Sequence, residues 1–228
     1  MLAGIFGKNY QRQRLFKKTQ SEVMKAYLAD PFPSKNELIT NVGIVSIDFE
    51  ATGLDVKRDS IVSVGMVDIV NMGINLASCS HQIITPNNEL TENSVIIHGI
   101  TDSHCINAKS IADALPDLLM RLKGKVMLAH NAQIELGFLN RVCKSLYGTE
   151  FIIPVIDTMY LAKRSFERAN RVYKSNDLRL FNLRKKYNMP EYKAHNAQND
   201  AIATAELFLA IAVELAPKNN MPLRDFLM

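Results

Sequence analysis

The sequence predicts an α/β fold: a mixed five-stranded sheet, made of a three-strand antiparallel meander plus two parallel strands, flanked by helices. Three observations predict it. Three strand-patterned segments follow one another between positions 42 and 84, and the second and third are joined by a short turn-like link. From position 111 onward, helical periodicity alternates with short apolar runs, an order that lays helices on a sheet. The chain has 228 residues, 47% of them hydrophobic, enough for one sizeable core or a core with a small appendage.

The first element is NYQRQRLFKKTQSEVMKAYLA (9–29), which reads as a basic helix with Leu15, Val23 and Leu28 on an apolar side. DPFPS (30–34) breaks it, because proline cannot continue a helix. Residues 1–40 are therefore expected to form a helical arm ahead of a main domain at 41–228. Three roles stay open for the arm: gripping nucleic acid, docking a polymerase or other protein, or capping the core.

VGIVSIDFE (42–50) is a mostly apolar strand, as a buried sheet requires. SIVSVGMVDIV (60–70) and INLASCSHQII (74–84) are two more strands, and the NMG link between them predicts a hairpin. A helix follows at 111–122, with Pro116 to be tolerated inside it. KVMLAH (125–130) is a short buried strand, 132–146 a helix and FIIPVIDT (151–158) another strand. Helices are expected near 159–164, 177–187 and 197–215. No tandem repeat or low-complexity tract interrupts the pattern.

Several classes are excluded. Cys79, Cys105 and Cys143 are odd in number and scattered, which argues against a disulfide framework and for a reducing cytoplasm. LFLAIAV (207–213), flanked by Glu206 and Glu214, is too short to span a bilayer, and MLAGIFGK at the start is too short for a signal core. The net charge of +4 is unevenly placed: residues 163–193 carry ten Lys/Arg against three Asp/Glu. A basic segment in a chain with an acidic cluster suits a polyanion held near a metal; a solvated helical face is the alternative.

The acidic cluster begins with IDFEATGLD (47–55). Asp48 and Glu50 lie two apart in a strand, so both carboxylates point to one face. Like charges at the end of an apolar strand repel and are costly to desolvate. A hard divalent cation offsets that cost through oxygen ligation; a pair of exposed strand-end acids is the alternative. Ala51, Thr52, Gly53 and Leu54 then form a turn that offers a hydroxyl and backbone N–H groups.

Two stretches open with the same five letters, AHNAQIE from Ala129 and AHNAQND from Ala194. Their flanks differ, so they are not a repeat. Positions five apart on a helix differ by about 140° in direction, so His130 and Glu135 cannot share a helical face. His130 is placed at a strand end, Asn131 in the turn, and Glu135 in the first turns of the next helix. His195 is expected on a loop or helix entry, with Asp200 on the helix that follows.

These residues resemble the DEDDh 3′–5′ exonucleases, the DnaQ-like group that includes proofreading epsilon subunits. The family pattern D-x-E-x-T-G is met by Asp48, Glu50, Thr52 and Gly53. H-N-A-x-x-acid with a following Phe-Leu is met by His130, Asn131, Ala132, Glu135, Phe138 and Leu139. H-x-x-x-x-D is met by His195 and Asp200, with HGIT (98–101) and VIDT (155–158) in support. One departure is Glu135, where the family usually has Asp. The resemblance covers about 42–215 and implies a ribonuclease H-like fold. It also implies two divalent cations, Mg²⁺ or Mn²⁺, about 3.5–4 Å apart, held by Asp48, Glu50, Glu135 and Asp200. His195 is then the general base. Ala51, Thr52, Gly53, Leu54, His98, Asn131 and Phe138 are implied as contacts to the substrate. The implied substrate is a single-stranded 3′ end, with DNA ahead of RNA, from which nucleoside 5′-monophosphates are released. RNA trimming and a weakened nucleic-acid-binding module are the rival readings, the latter resting on Glu135 alone. Asp157 is expected to cap a helix or close a strand end.

Overall fold

The computed structural model describes residues 7–88, 90, 92–192, 194–215 and 220–228. Two helices, α1 (Lys8–Lys18) and α2 (Glu22–Leu28), precede the strands β1 (Ile44–Ala51), β2 (Ile61–Val70) and β3 (Gly73–Thr85). There follow α3 (Glu92–His98), α4 (Asp102–Cys105), β4 (Lys109–Ser110), α5 (Ile111–Leu122), β5 (Val126–Ala129) and α6 (Gln133–Tyr147). The chain continues with β6 (Val155–Asp157), α7 (Thr158–Arg168), α8 (Leu180–Lys186) and α9 (Ala197–Leu215). Among the described residues the strands form one sheet in the order β4-β3-β2-β1-β5-β6. β1, β2 and β3 are antiparallel, and β5 and β6 run parallel to β1. The sheet therefore contains the expected five strands plus β4, a two-residue strand parallel to the end of β3, too short to leave a periodic signal.

The β2–β3 connection is a tight hairpin whose two central residues, Asn71 (φ 51°) and Met72 (φ 58°), are both left-handed. That is the turn geometry whose twist matches paired strands. The expected single helix at 9–29 is two helices, because Ser21 caps α2 by accepting a bond from the Met24 N–H. Of the three roles open for the arm, α2 caps the core. Met24, Tyr27 and Leu28 are wholly buried among Val45, Ile47, Leu115, Leu119 and Phe138. Tyr27 donates to the Ile152 carbonyl at 2.7 Å and stacks on Phe151. Each such large apolar side chain contributes about 1.5–3 kcal/mol on burial.

Alternation along β1 divides the core. Val45, Ile47 and Phe49 face α2, α5 and α6, while Ile44 faces the layer that contains Leu161, Leu183, Phe208 and Ile211 from α7, α8 and α9. Ser46 sits on this second face, and its hydroxyl donates to the Ala201 carbonyl of α9 at 2.7 Å. Asp48 and Glu50 continue the same face toward the carboxyl end of the strand.

Candidate active site

Strand register brings the site together. Asp48 pairs with Gly65 of β2, and Glu50 with Ser63. A Cβ on Gly65 would lie 2.0 Å from the Ala197 carbonyl carbon and oxygen and 2.3 Å from the Gln198 nitrogen. The first turn of α9 therefore packs directly on the sheet beside Asp48, an approach only glycine permits. This places Asp200, one turn along α9, against Glu50. The register also shifts between Glu50 and Ala51, an irregularity of the kind that bends a strand next to a site.

Ligand atoms of Glu50, His195 and Asp200 all lie within 4.8 Å of one another. Glu50 and Asp200 are buried and His195 is exposed. Asp48 and Glu135 adjoin this group. Burial raises the Asp48 carboxyl well above its usual range, and the charges of Glu135, Asp200 and Glu50 push it further. Burial lifts Glu50 to about 8, with Asp200 adding to it. Burial likewise lifts Glu135 to about 8, opposed by its own backbone N–H and supported by Asp157. Asp200 rises only to about 6, because the His195 N–H and the charges of His195 and Arg184 oppose the effect of burial. Four carboxylates this close cannot all ionise without a cation.

The donor set fits divalent ions. Glu135 Oε2 and Asp200 Oδ1 are buried, and neither has a hydrogen-bond partner in the structure. A buried carboxylate oxygen without a partner costs free energy, and a hard cation among oxygen ligands removes that cost. The other Asp200 oxygen accepts the His195 N–H at 3.0 Å.

The twin AHNAQ stretches have separate duties. His130 at the end of β5 points its Nδ1 to the Thr158 hydroxyl, 2.7 Å away. Burial drives its pKa down to about 4 against the pull of Asp157 and the Leu178 carbonyl, so it is a neutral structural residue. Asn131 takes a left-handed φ of 65°, and Asp157 makes the turn possible. Its carboxylate accepts the N–H groups of Asn131 (3.1 Å), Ala132 (3.0 Å), Met159 (2.8 Å) and Tyr160 (3.3 Å). Asp157 thus ties the start of α6, which carries Glu135, to the start of α7, as the expected cap. His195 is also left-handed, at φ 62°.

The residues expected to touch substrate divide. Leu54 is 78% exposed beside the acidic strand end. His98 is half-buried, accepts the Ile100 N–H on Nδ1 at 3.0 Å, and leaves a buried Nε2 unpartnered. Burial lowers its pKa and the nearby His195 lowers it further, so the two imidazoles share the site. Asn131 is exposed, with its backbone held by Asp157, and Ala51 is half-buried against the core.

Two of these expectations, Phe138 and the Thr52 hydroxyl, are corrected. Phe138 is 0% exposed within the core, where no nucleotide reaches, and the Arg141 guanidinium lies over its ring. The Thr52 hydroxyl is buried and occupied inside its loop, donating to Asp59 at 3.2 Å and accepting the Ser60 N–H at 3.0 Å. Gly53 packs closely on Asp59, where a Cβ would lie 2.5 Å from the carboxylate, and it remains half-buried in the loop. Both Thr52 and Gly53 therefore shape the turn around Asp59. Sequence reasoning missed Gly65 and Asp59. The signal for Gly65 was a glycine inside an apolar strand; Asp59 left none.

The description "Exonuclease" belongs to the family profile that matches residues 45–208. A DNA polymerase III PolC-type from Thermotoga petrophila is 34% identical over 178 residues, 78% of this chain and 12% of that protein. The chain thus spans about an eighth of the PolC-type relative's length. The DNA polymerase III subunit epsilon of Treponema pallidum is 29% identical over 79% of this chain and 81% of its own. The nuclease domain of 3′hExo, a DEDDh family member bound to rAMP, shares the fold with a TM-score of 0.65. It has 18% identity, over 82% of this chain and 98% of that one. Carrying its acidic motifs on the strand and helix ends where the fold brings them together, this chain belongs to the exonuclease family.

Proposed function

We propose that the protein is a metal-dependent 3′–5′ exonuclease releasing nucleoside 5′-monophosphates from single-stranded DNA 3′ ends. The observation that carries this is the convergence of buried carboxylates from three remote segments, two with unpartnered oxygens, beside an exposed histidine. Asp48, Glu50, Glu135 and Asp200 would hold two Mg²⁺ or Mn²⁺ ions, which when bound stabilise charge on the attacking and leaving oxygens. His195, exposed at the rim, takes the proton of the attacking water. The water oxygen bonds to phosphorus, the bond from phosphorus to the 3′-oxygen of the preceding nucleotide breaks, and that oxygen leaves as the new 3′ end. Leu54 offers an apolar surface to the terminal base, and His98 lines the site beside His195.

The test is digestion of 5′-labelled single-stranded DNA and RNA with Mg²⁺, Mn²⁺ or EDTA. The expected result is metal-dependent shortening from the 3′ end, abolished by Asp48→Ala, with DNA the better substrate. Faster loss of RNA moves the assignment to RNA trimming, and binding without cleavage in either metal removes the enzymatic reading. We assign a polymerase or other protein partner to the exposed face of α1. There Arg14 and Lys18 border a cleft of about 940 Å³ shared with Lys144 and Tyr147 of α6. Co-elution with a replicative polymerase subunit that survives Arg14→Glu with Lys18→Glu would remove that assignment.

A further inference from the structure

Arg184 has the largest wholly buried side chain among the described residues, 1% exposed. A guanidinium in a core is costly unless its donors are matched. Nη1 donates to the Ala203 carbonyl at 3.0 Å and to Glu206 Oε2 at 2.7 Å, both on α9. Nη2 donates to the Pro190 carbonyl at 3.0 Å, while the buried Nε has no partner among the described residues. The guanidinium lies 4.6 Å from the centroid of the Tyr192 ring, whose hydroxyl donates to Glu206 Oε1 at 2.8 Å. The backbone carbonyl of Arg184 accepts the N–H groups of Tyr187 (3.0 Å) and Met189 (3.1 Å). One residue thus closes the turn after α8 and straps the following loop to α9.

That loop leads into His195, three residues beyond Tyr192. A left-handed histidine is a sparsely populated state that persists only where both flanks hold it. The downstream flank is the start of α9, where the Asn196 carbonyl accepts the Asp200 N–H and Asn196 Oδ1 accepts the Asn199 N–H. The His195 N–H itself donates to Asp200 Oδ2 at 3.0 Å, and upstream the Arg184 strap ties the chain as far as Tyr192. If burial were its whole purpose, an apolar side chain would serve as well as a buried ion pair. The planar fork of arginine instead reaches two elements at once.

We propose that Arg184, with Glu206 and Tyr192, is a positioning cluster that holds the His195 backbone in its left-handed state and so keeps the imidazole against Glu50 and Asp200. The cluster acts through His195 and rests on the proton-accepting role proposed for that residue.

The experiment is a double-mutant cycle of Tyr192→Phe and His195→Ala, read as kcat and KM on labelled single-stranded DNA with Mn²⁺, with thermal melts of each variant. Tyr192→Phe keeps the ring over Arg184 and deletes one hydrogen bond. It is expected to lower kcat by about tenfold through misplacement of a reacting group, with KM and the melting temperature unchanged. In the His195→Ala background it is expected to have no further effect. Arg184→Lys, which keeps charge and loses the fork, should lower kcat in the same His195-dependent way while also lowering the melting temperature. Equal losses in both backgrounds, or an unchanged kcat in Tyr192→Phe alone, overturn the proposal. Full activity in His195→Ala alone instead removes the proton-accepting role of His195, and the proposal with it.

Discussion

Gly65→Ala tests how the site is assembled. The new Cβ would sit 2.0 Å from two backbone atoms of Ala197, whereas carbon atoms prefer a separation of about 3.5–4.0 Å. Backbone cannot rotate away as a side chain tip can, so the first turn of α9 must retreat from β2 by about 1.5 Å. Asp200 rides on the same helix and moves with it, away from Asp48 and Glu50. A displacement of 1 Å at reacting groups costs about a hundredfold in rate, and overpacking costs about 1–3 kcal/mol of stability. For a chain of this size each kcal/mol lowers the melting temperature by about 2–4 °C. The assay is single-turnover digestion of labelled DNA with saturating Mn²⁺, beside thermal melts followed by circular dichroism. Gly43→Ala is the control, because its Cβ would meet only the Lys125 side chain at 3.6 Å; it should alter stability by no more than about 0.5 kcal/mol. A Gly65→Ala variant with the wild-type rate and melting temperature would refute the idea that this contact places Asp200.

Three further outcomes are expected. Glu50 and Glu135 titrate near 8 and Asp200 near 6 in the fold, above their unfolded values, so the folded state binds the extra protons. Without metal, the stability these three groups contribute is therefore full below their unfolded values near about 4 and is lost as pH rises from there through about 8. Mn²⁺ at a hundred times its Kd restores about 2.7 kcal/mol at pH 8; a melting temperature in EDTA that is flat with pH would contradict the shared-charge account. Asp157→Ala strands N–H groups at the starts of α6 and α7 and should cost about 2–3 kcal/mol. Chemical denaturation measures it, and a cost below about 0.5 kcal/mol would show that the turn holds itself. Glu135→Asp withdraws the carboxylate by about one carbon–carbon bond. Equal or higher activity is expected if the site accepts either acid, while activity present only in the variant would mark the natural site as weakened.

The long elements were readable because periodicity reports burial locally. β1 alternates between two cores, α5 and α9 run over the expected residues, and Asp48 and Glu50 declared a shared face by their spacing alone. The sorting of the twin histidines was less open to sequence. His130 and His195 have the same neighbours in the chain, and spacing placed the first at a strand end and the second near a helix entry. That one is buried and neutral while the other reaches the carboxylates depends on what packs around each.

Sequence by itself determined the five expected strands and the long helices α5, α6 and α9, that an acidic pair ends an apolar strand, and that carboxylates and a histidine stand ready in two later segments. These follow from properties that each segment carries alone: period, turn chemistry and charge. Tertiary structure decided the rest. It showed that Phe138 belongs to the core, that Thr52 and Gly53 serve Asp59, that Gly65 admits α9, and that Arg184 spends its charge inside the protein. Each of these depends on atoms far apart in the chain meeting within a few ångströms, and no local pattern records such a meeting.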